Sequence, residues 1–182
     1  MKPILFNTEM VRAIRDGRKT VTRRVVKEPW FISDEVASRL SGLAMHRGYA
    51  HTDGMPCPDR PYRPGDILYV RETWCRQPSE EYPFVYRASV ETPDAWKGQW
   101  RPSIHMPKEA ARLFLRVKAV RVQRLHDMTT NSAMDEGFTD WNDFARCWDS
   151  TIKPADRALY GWAADPWVWV IEFERISKEE AL

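Results

Sequence analysis

Gly17-Arg18-Lys19-Thr20-Val21-Thr22-Arg23-Arg24 gathers an amine, two hydroxyls and three guanidiniums into eight residues. Two readings stand open. A basic strand edge facing water would carry the same residues. Alternatively, Arg18, Arg23 and Arg24 crowd Lys19, and nearby like charges favour the neutral amine and lower its pKa. Thr22 is then a nucleophile with a base close by in sequence. On an ideal strand Lys19 and Thr22 would point to opposite faces. The second reading therefore needs Lys19 on the turn after Gly17, ahead of regular strand geometry.

Working outward, residues 2–6 predict a short first strand. Asn7 or Thr8 caps a helix whose apolar face holds Met10, Val11 and Ile14, and Asp16-Gly17 closes it. Residues 20–26 read as a β-branched strand. Prolines and glycines then break the pattern over 28–62, with at most a short helix over 33–40, which predicts a long surface insertion. Arg63-Pro64-Gly65-Asp66 is a turn, followed by a strand over 67–74 and another over 82–88. Residues 89–107 look irregular. Residues 113–125 alternate, with Leu113, Leu115, Val117, Ala119 and Arg121 on one face. Short helices are expected over 131–136, ended by Gly137, and over 141–148. A last strand covers 167–176. Many short strands with a few peripheral helices predict a mainly β, α+β chain closed wholly or partly into a barrel.

At 182 residues the chain suits one domain with insertions, and 43% hydrophobic content supports a core. The net charge of +2 gives no global affinity for polyanions. The stretch from Arg12 to Lys27 is nonetheless locally basic and would attract a phosphate or be balanced by acids elsewhere in the fold. Cys57, Cys75 and Cys147 are odd in number and widely spaced, which suggests reduced thiols in a cytoplasm. No run approaches the ~18 apolar residues of a membrane span, and the N-terminal apolar run is short for a signal peptide.

Gly17, Lys19, Thr22 and Arg24 stand at the spacing G-x-K-x-x-[E/T]-x-R. This resembles the signature of the ASCH domain, a small PUA-like β-barrel related to RNA-binding PUA domains. Thr at position 22 resembles the N4-acetylcytidine amidohydrolases of that family. The likeness extends to the turn and strand PGDILYVRE, the segment 128–136 and the last strand VWVIEFERI. The insertions at about 28–62, 76–107 and 140–165 are additions to the smallest enzymes of the group, and the RETW and PSIHMP segments are similar to ASCH proteins of phage and prophage genomes. The resemblance implies Lys19, Thr22 and Glu136 as a catalytic set. Thr22 would attack an amide carbonyl, Lys19 would take its proton, and Glu136 would hold Lys19 or a water, or pass the proton to the leaving amine. Read by itself, Glu136 before Gly137 is an ordinary helix-end residue.

Arg24 is a candidate for holding substrate or an oxyanion, or a surface arginine. Glu72 either pairs with a motif arginine or accepts from a nucleobase amine. Of nine tryptophans, Trp74 is the best candidate for stacking a base, worth ~1–3 kcal/mol; Trp167 and Trp169 fit a core. His105 lies in a proline-bounded loop, at the surface or lining the site. His46, His51, His105 and His126 lack metal-ligand spacing, and no phosphate loop, G-x-S-x-G or G-x-G-x-x-G occurs, so neither metal nor cofactor is expected. The expectation is a metal-independent hydrolase that removes an acyl group from the exocyclic amine of a cytidine-type nucleoside. The alternatives are a non-catalytic module binding RNA or a modified nucleotide, and an ASCH-type ribonuclease.

Overall fold

The computed structural model describes residues 1–27 and 61–182. In chain order they form β1 (Lys2–Leu5), α1 (Thr8–Arg15), β2 (Val21–Val25), β3 (Ile67–Arg71), β4 (Trp74–Arg76), β5 (Phe84–Tyr86), β6 (Phe114–Arg124), α2 (Thr130–Asp135), α3 (Trp141–Thr151), α4 (Arg157–Tyr160), β7 (Trp167–Ile176) and α5 (Lys178–Ala181), with short 3-10 turns between. The expected insertion over 28–62, apart from Pro61 and Tyr62, and the helix over 33–40 lie outside the described residues. The insertion over 76–107 contributes β5 and a run of 3-10 turns, and that over 140–165 contributes α3 and α4.

Five strands make a mixed sheet in the order β1-β3-β6-β7-β2, and β4 pairs with β5. β1 lies parallel to β3, with Lys2 opposite Leu68. β2 lies antiparallel to β7, with Val21 opposite Glu172 and Val25 opposite Val168. The mixed α+β class agrees with the sequence, and among the described residues the sheet does not close into a full barrel. Closing a barrel requires the two edge strands to pair, whereas this order ends in β1 on one side and β2 on the other.

Two further expectations change in detail. The strand expected over 67–74 is broken at Glu72-Thr73 into β3 and β4, and Trp74 turns to pair with Tyr86 and to bridge Arg101. Along β6 the buried positions are Phe114, Leu115 and Val117 and then Val120 and Val122. The parity of burial thus shifts after Val117, and Ala119 and Arg121 are not the core residues that strict alternation would make them.

Helix α1 shows how closely local sequence fixes the approach to the motif. The Asn7 side chain accepts a hydrogen bond from the Met10 N–H at 2.8 Å, satisfying one of the helix's free donors. Glu9 lies in its first turn and Arg12 and Arg15 in its last, matching the helix dipole. Asp16 ends it and Gly17 follows at φ +76°. A Cβ at Gly17 would meet nothing within 4 Å, so substitution costs backbone strain alone. A Gly17→Ala chain should lose about 1–2 kcal/mol, read as a lower urea midpoint at unchanged slope.

The described residues gather into two compact units. The first comprises Met1–Lys19, Asp66–Arg116 and Glu174–Leu182, and its core packs Trp74, Met106, Ala110, Ala111, Phe114 and Ile176. The second runs through Thr20–Gly65 and Val117–Phe173. Its core packs Val21, Leu125, Met128, Ala133, Phe144, Trp148, Val168 and Val170. Phe144 stacks on Trp148 and meets Trp162 edge-on there. Trp167 and Trp169 are buried in β7, as expected of core tryptophans. Cys75 is a buried free thiol. No helix of the described residues is long and apolar enough to cross a membrane.

Candidate functional site

Burying a charge is costly unless it is paired, so fully buried polar side chains are informative. Among the described residues these are Lys19, Thr22, Arg23, Glu72 and Glu136, each between 1% and 3% exposed. Four of the five are residues the sequence singled out as catalytic or substrate-binding. The fifth, Arg23, is a motif residue.

In the second unit, Thr22, Arg23 and Arg24 lie on the edge strand β2. Alternation along a strand puts Arg23 on one face and Thr22 with Arg24 on the other. Glu136 reaches this strand from the end of α2. Thr129 caps the start of that helix, and Glu136 ends it before Gly137 at φ +87°. The Thr20 N–H donates to the Asp135 carbonyl at 2.8 Å, tying the helix end to the start of β2. Arg23 Nη1 then donates to Glu136 Oε1 at 3.0 Å, with both side chains fully buried.

Burial lowers the Arg23 guanidinium pKa, and the Glu136 charge and hydrogen bond oppose that shift. Burial also lowers that of Arg24, opposed by the charges of Glu136, Tyr62 and Cys147. The carboxylate is therefore felt on both faces of the strand, as its edge position allows. Both guanidiniums stay protonated at neutral pH. Among the described residues the buried Arg23 Nε and Nη2 find no hydrogen-bond partner. Each such donor costs ~1–3 kcal/mol, which an acceptor oxygen from outside the chain would recover.

In the first unit Lys19 follows the turn at Gly17 as an isolated bridge residue ahead of β2. Its N–H donates to the Ala13 carbonyl at 3.1 Å, and its Nζ lies 5.5 Å from the centre of the Phe6 ring. Glu72 does not pair with a motif arginine. Arg112 holds it bidentately, Nε to Oε1 at 2.8 Å and Nη2 to Oε2 at 2.9 Å. The Arg112 guanidinium also lies 3.9 Å over the Tyr86 ring. Burial raises the Tyr86 phenol pKa, Arg112 opposing and Glu72 adding to the rise. The phenol donates to the Ala110 carbonyl at 2.6 Å.

Trp74 is a core residue, 4% exposed and edge-on to Phe84 at 5.7 Å between ring centres. Arg101 lies 5.5 Å over its ring. A base could stack on it only if this packing opened. His105 is exposed on a 3-10 turn. Arg71 holds that turn, with Nε donating to the Met106 carbonyl at 2.8 Å and Nη2 to that of Ile104. Among the described residues no group of three His, Cys, Asp or Glu is placed to hold a metal.

No family model matches this chain, and no curated protein matches it. Among solved structures it is similar to the crystal structure of protein EF3133 from Enterococcus faecalis V583, of the family model DUF984, at 12% identity and a TM-score of 0.46. That match covers 97% of this chain and 82% of the other.

The sequence reading missed two partners. It took Arg23 for a charge that tunes Lys19, whereas Arg23 is the buried partner of Glu136. It passed over Arg112 altogether. The signal for Arg112 was present: a lone charge inside the apolar run Ala110-Ala111-Arg112-Leu113-Phe114 needs a buried partner.

Proposed function

We propose that the protein is a metal-independent amidohydrolase that removes the acyl group from the exocyclic amine of N4-acylated cytidine-type nucleosides. The observation that supports this is the burial of Lys19, Thr22 and Glu136, against the normal tendency of such side chains to stay in water. The assignment of roles rests on the likeness of the motif to ASCH amidohydrolases. In this reading Thr22 Oγ1 attacks the amide carbonyl carbon while the Lys19 amine takes the hydroxyl proton. The C–N bond breaks as Lys19 returns that proton to the leaving cytosine amine. Water then hydrolyses the threonyl ester to free acid and regenerated Thr22. Glu136 orients the proton-carrying groups, and Arg23 is a positioning residue that fixes its carboxylate. In the same reading Arg24, on the Thr22 face of β2, binds the substrate oxygen.

The test is release of acetate and cytidine from free N4-acetylcytidine, before and after exhaustive dialysis against EDTA. Turnover should be the same in both. Loss of turnover with EDTA and its return with zinc would replace this mechanism by a metal-assisted one. No turnover of any N4-acylcytidine would leave a binding module in its place.

A further inference from the structure

The first unit carries a concave site. A cleft of about 400 Å³ is lined by Arg15, Asp16, Arg112, Arg175, Ser177 and Lys178, with Leu113 and Ile176 as its apolar part. This is at the small end of ligand sites, ~300–1,000 Å³. Four of the lining side chains are cationic and one is acidic. The acid, Asp16, is engaged by Arg18 at 2.9 Å.

The arginines are held in place and still have donors to spare. Arg112 is fixed by Glu72 and Tyr86, and its Nη1 donates to Ser89 Oγ at 2.7 Å. Arg15 Nη1 donates to the same Ser89 oxygen at 2.9 Å. Two guanidiniums thus converge on one neutral hydroxyl, an arrangement that like-charge repulsion opposes and a bound anion would relieve. Arg175 Nη1 donates to the Arg15 carbonyl at 3.1 Å. A guanidinium has five N–H donors, so each of these arginines keeps at least two beyond these bonds.

A structural role explains part of the cluster. Arg15 and Arg175 lie at the C-terminus of α1, where the helix dipole presents roughly half a negative charge. Half a charge offsets only half of one cation, and buried Glu72 offsets Arg112. The Ser177 N–H donates to Glu180 and its hydroxyl oxygen accepts from the Glu180 N–H in a capping box, bonds that do not use the hydroxyl's own donor.

We propose that this cleft binds a phosphate group, free or as a nucleoside monophosphate, through Arg15, Arg112, Arg175 and Lys178. Guanidinium forks match phosphate oxygens bidentately. The site is assigned without reference to the hydrolysis proposed above, and its test does not use that reaction.

The test follows backbone amide shifts in two-dimensional NMR during titration with inorganic phosphate and, separately, cytidine 5′-monophosphate, at constant ionic strength. Saturable shifts should centre on residues 15–16, 112–113 and 175–178. An Arg175→Gln/Lys178→Gln chain should weaken binding about tenfold or more. Both side chains are exposed and together make one internal bond, so the fold should persist. Substitution of Arg112 is avoided because it would strand Glu72. Tighter binding of the nucleotide than of phosphate would identify an esterified phosphate as the ligand, and equal affinity a free one. Equal shifts with chloride, shifts centred elsewhere, or unchanged affinity in the double variant would overturn the proposal.

Discussion

A Lys19→Met chain should hydrolyse N4-acetylcytidine ~10²–10⁴ times more slowly than the parent, the range expected when a general base is removed. Methionine is the informative replacement because Lys19 is 2% exposed. It fills most of the volume of the lysine stem and lacks only the amine, whereas alanine would add a cavity to the chemical loss. Thr22→Ala should be at least as slow, and Thr22→Ser should keep part of the rate because it keeps a hydroxyl. Groups acting as one unit are strongly non-additive, so the Lys19→Met/Thr22→Ala pair should be little slower than either single variant. Circular dichroism should report a parent-like fold throughout. A Lys19→Met chain working at near the parent rate would remove Lys19 from the mechanism.

The second large effect is on stability. In Glu136→Ala the Arg23 guanidinium, 1% exposed, loses its charge partner. Stranding one half of a buried pair costs about 3–5 kcal/mol, which for a marginally stable chain approaches the whole folding free energy. By contrast the exposed Arg18–Asp16 pair, with both side chains more than half in water, should contribute ~0–1 kcal/mol. Combining Glu136→Ala with Arg23→Met removes the stranded charge and should recover most of the loss. It should not restore hydrolysis, because the carboxylate is still missing. Urea midpoints for the parent, the single variant and the pair decide the matter. A single-variant loss below about 1 kcal/mol would mean that the pair is solvated in solution.

Where local rules govern, the sequence was legible. The cap at Asn7, the left-handed glycines after α1 and α2, the turn at Gly65 and the extent of β7 all follow from residue types within a few positions of each other. The rest depends on partners distant in sequence. Nothing in 67–74 announces that the strand breaks at Glu72; the break satisfies Arg112 and the Arg71 contacts to the 104–106 carbonyls, residues more than 30 positions away. Whether the strands close into a barrel depends on which edges meet, and strand periodicity carries no record of that. In the candidate site, motif spacing singled out Lys19 and Thr22, the resemblance to ASCH amidohydrolases implied Glu136, and strand position drew attention to Glu72. The pairings Arg23–Glu136 and Arg112–Glu72 were not readable, because each joins segments that local sequence leaves independent.

The register of β2 has a consequence for how the protein is made. Val21 pairs with Glu172 and Val25 with Val168, so among the described residues the strand carrying the motif has no ladder partner until nearly all of the chain has been translated. At ~5–20 residues per second that wait is on the order of 10 s, long compared with the microseconds in which a local hairpin closes. During it, a β-branched segment sits next to nascent chain with its backbone unpaired, the situation in which ribosome-bound polypeptides aggregate. Arg23 and Arg24 give that segment two charges while it waits, the composition of a gatekeeper. The same two side chains thus serve the chain at different times: as solubilising charges on the ribosome and, after β7 arrives, as neighbours of the Glu136 carboxylate.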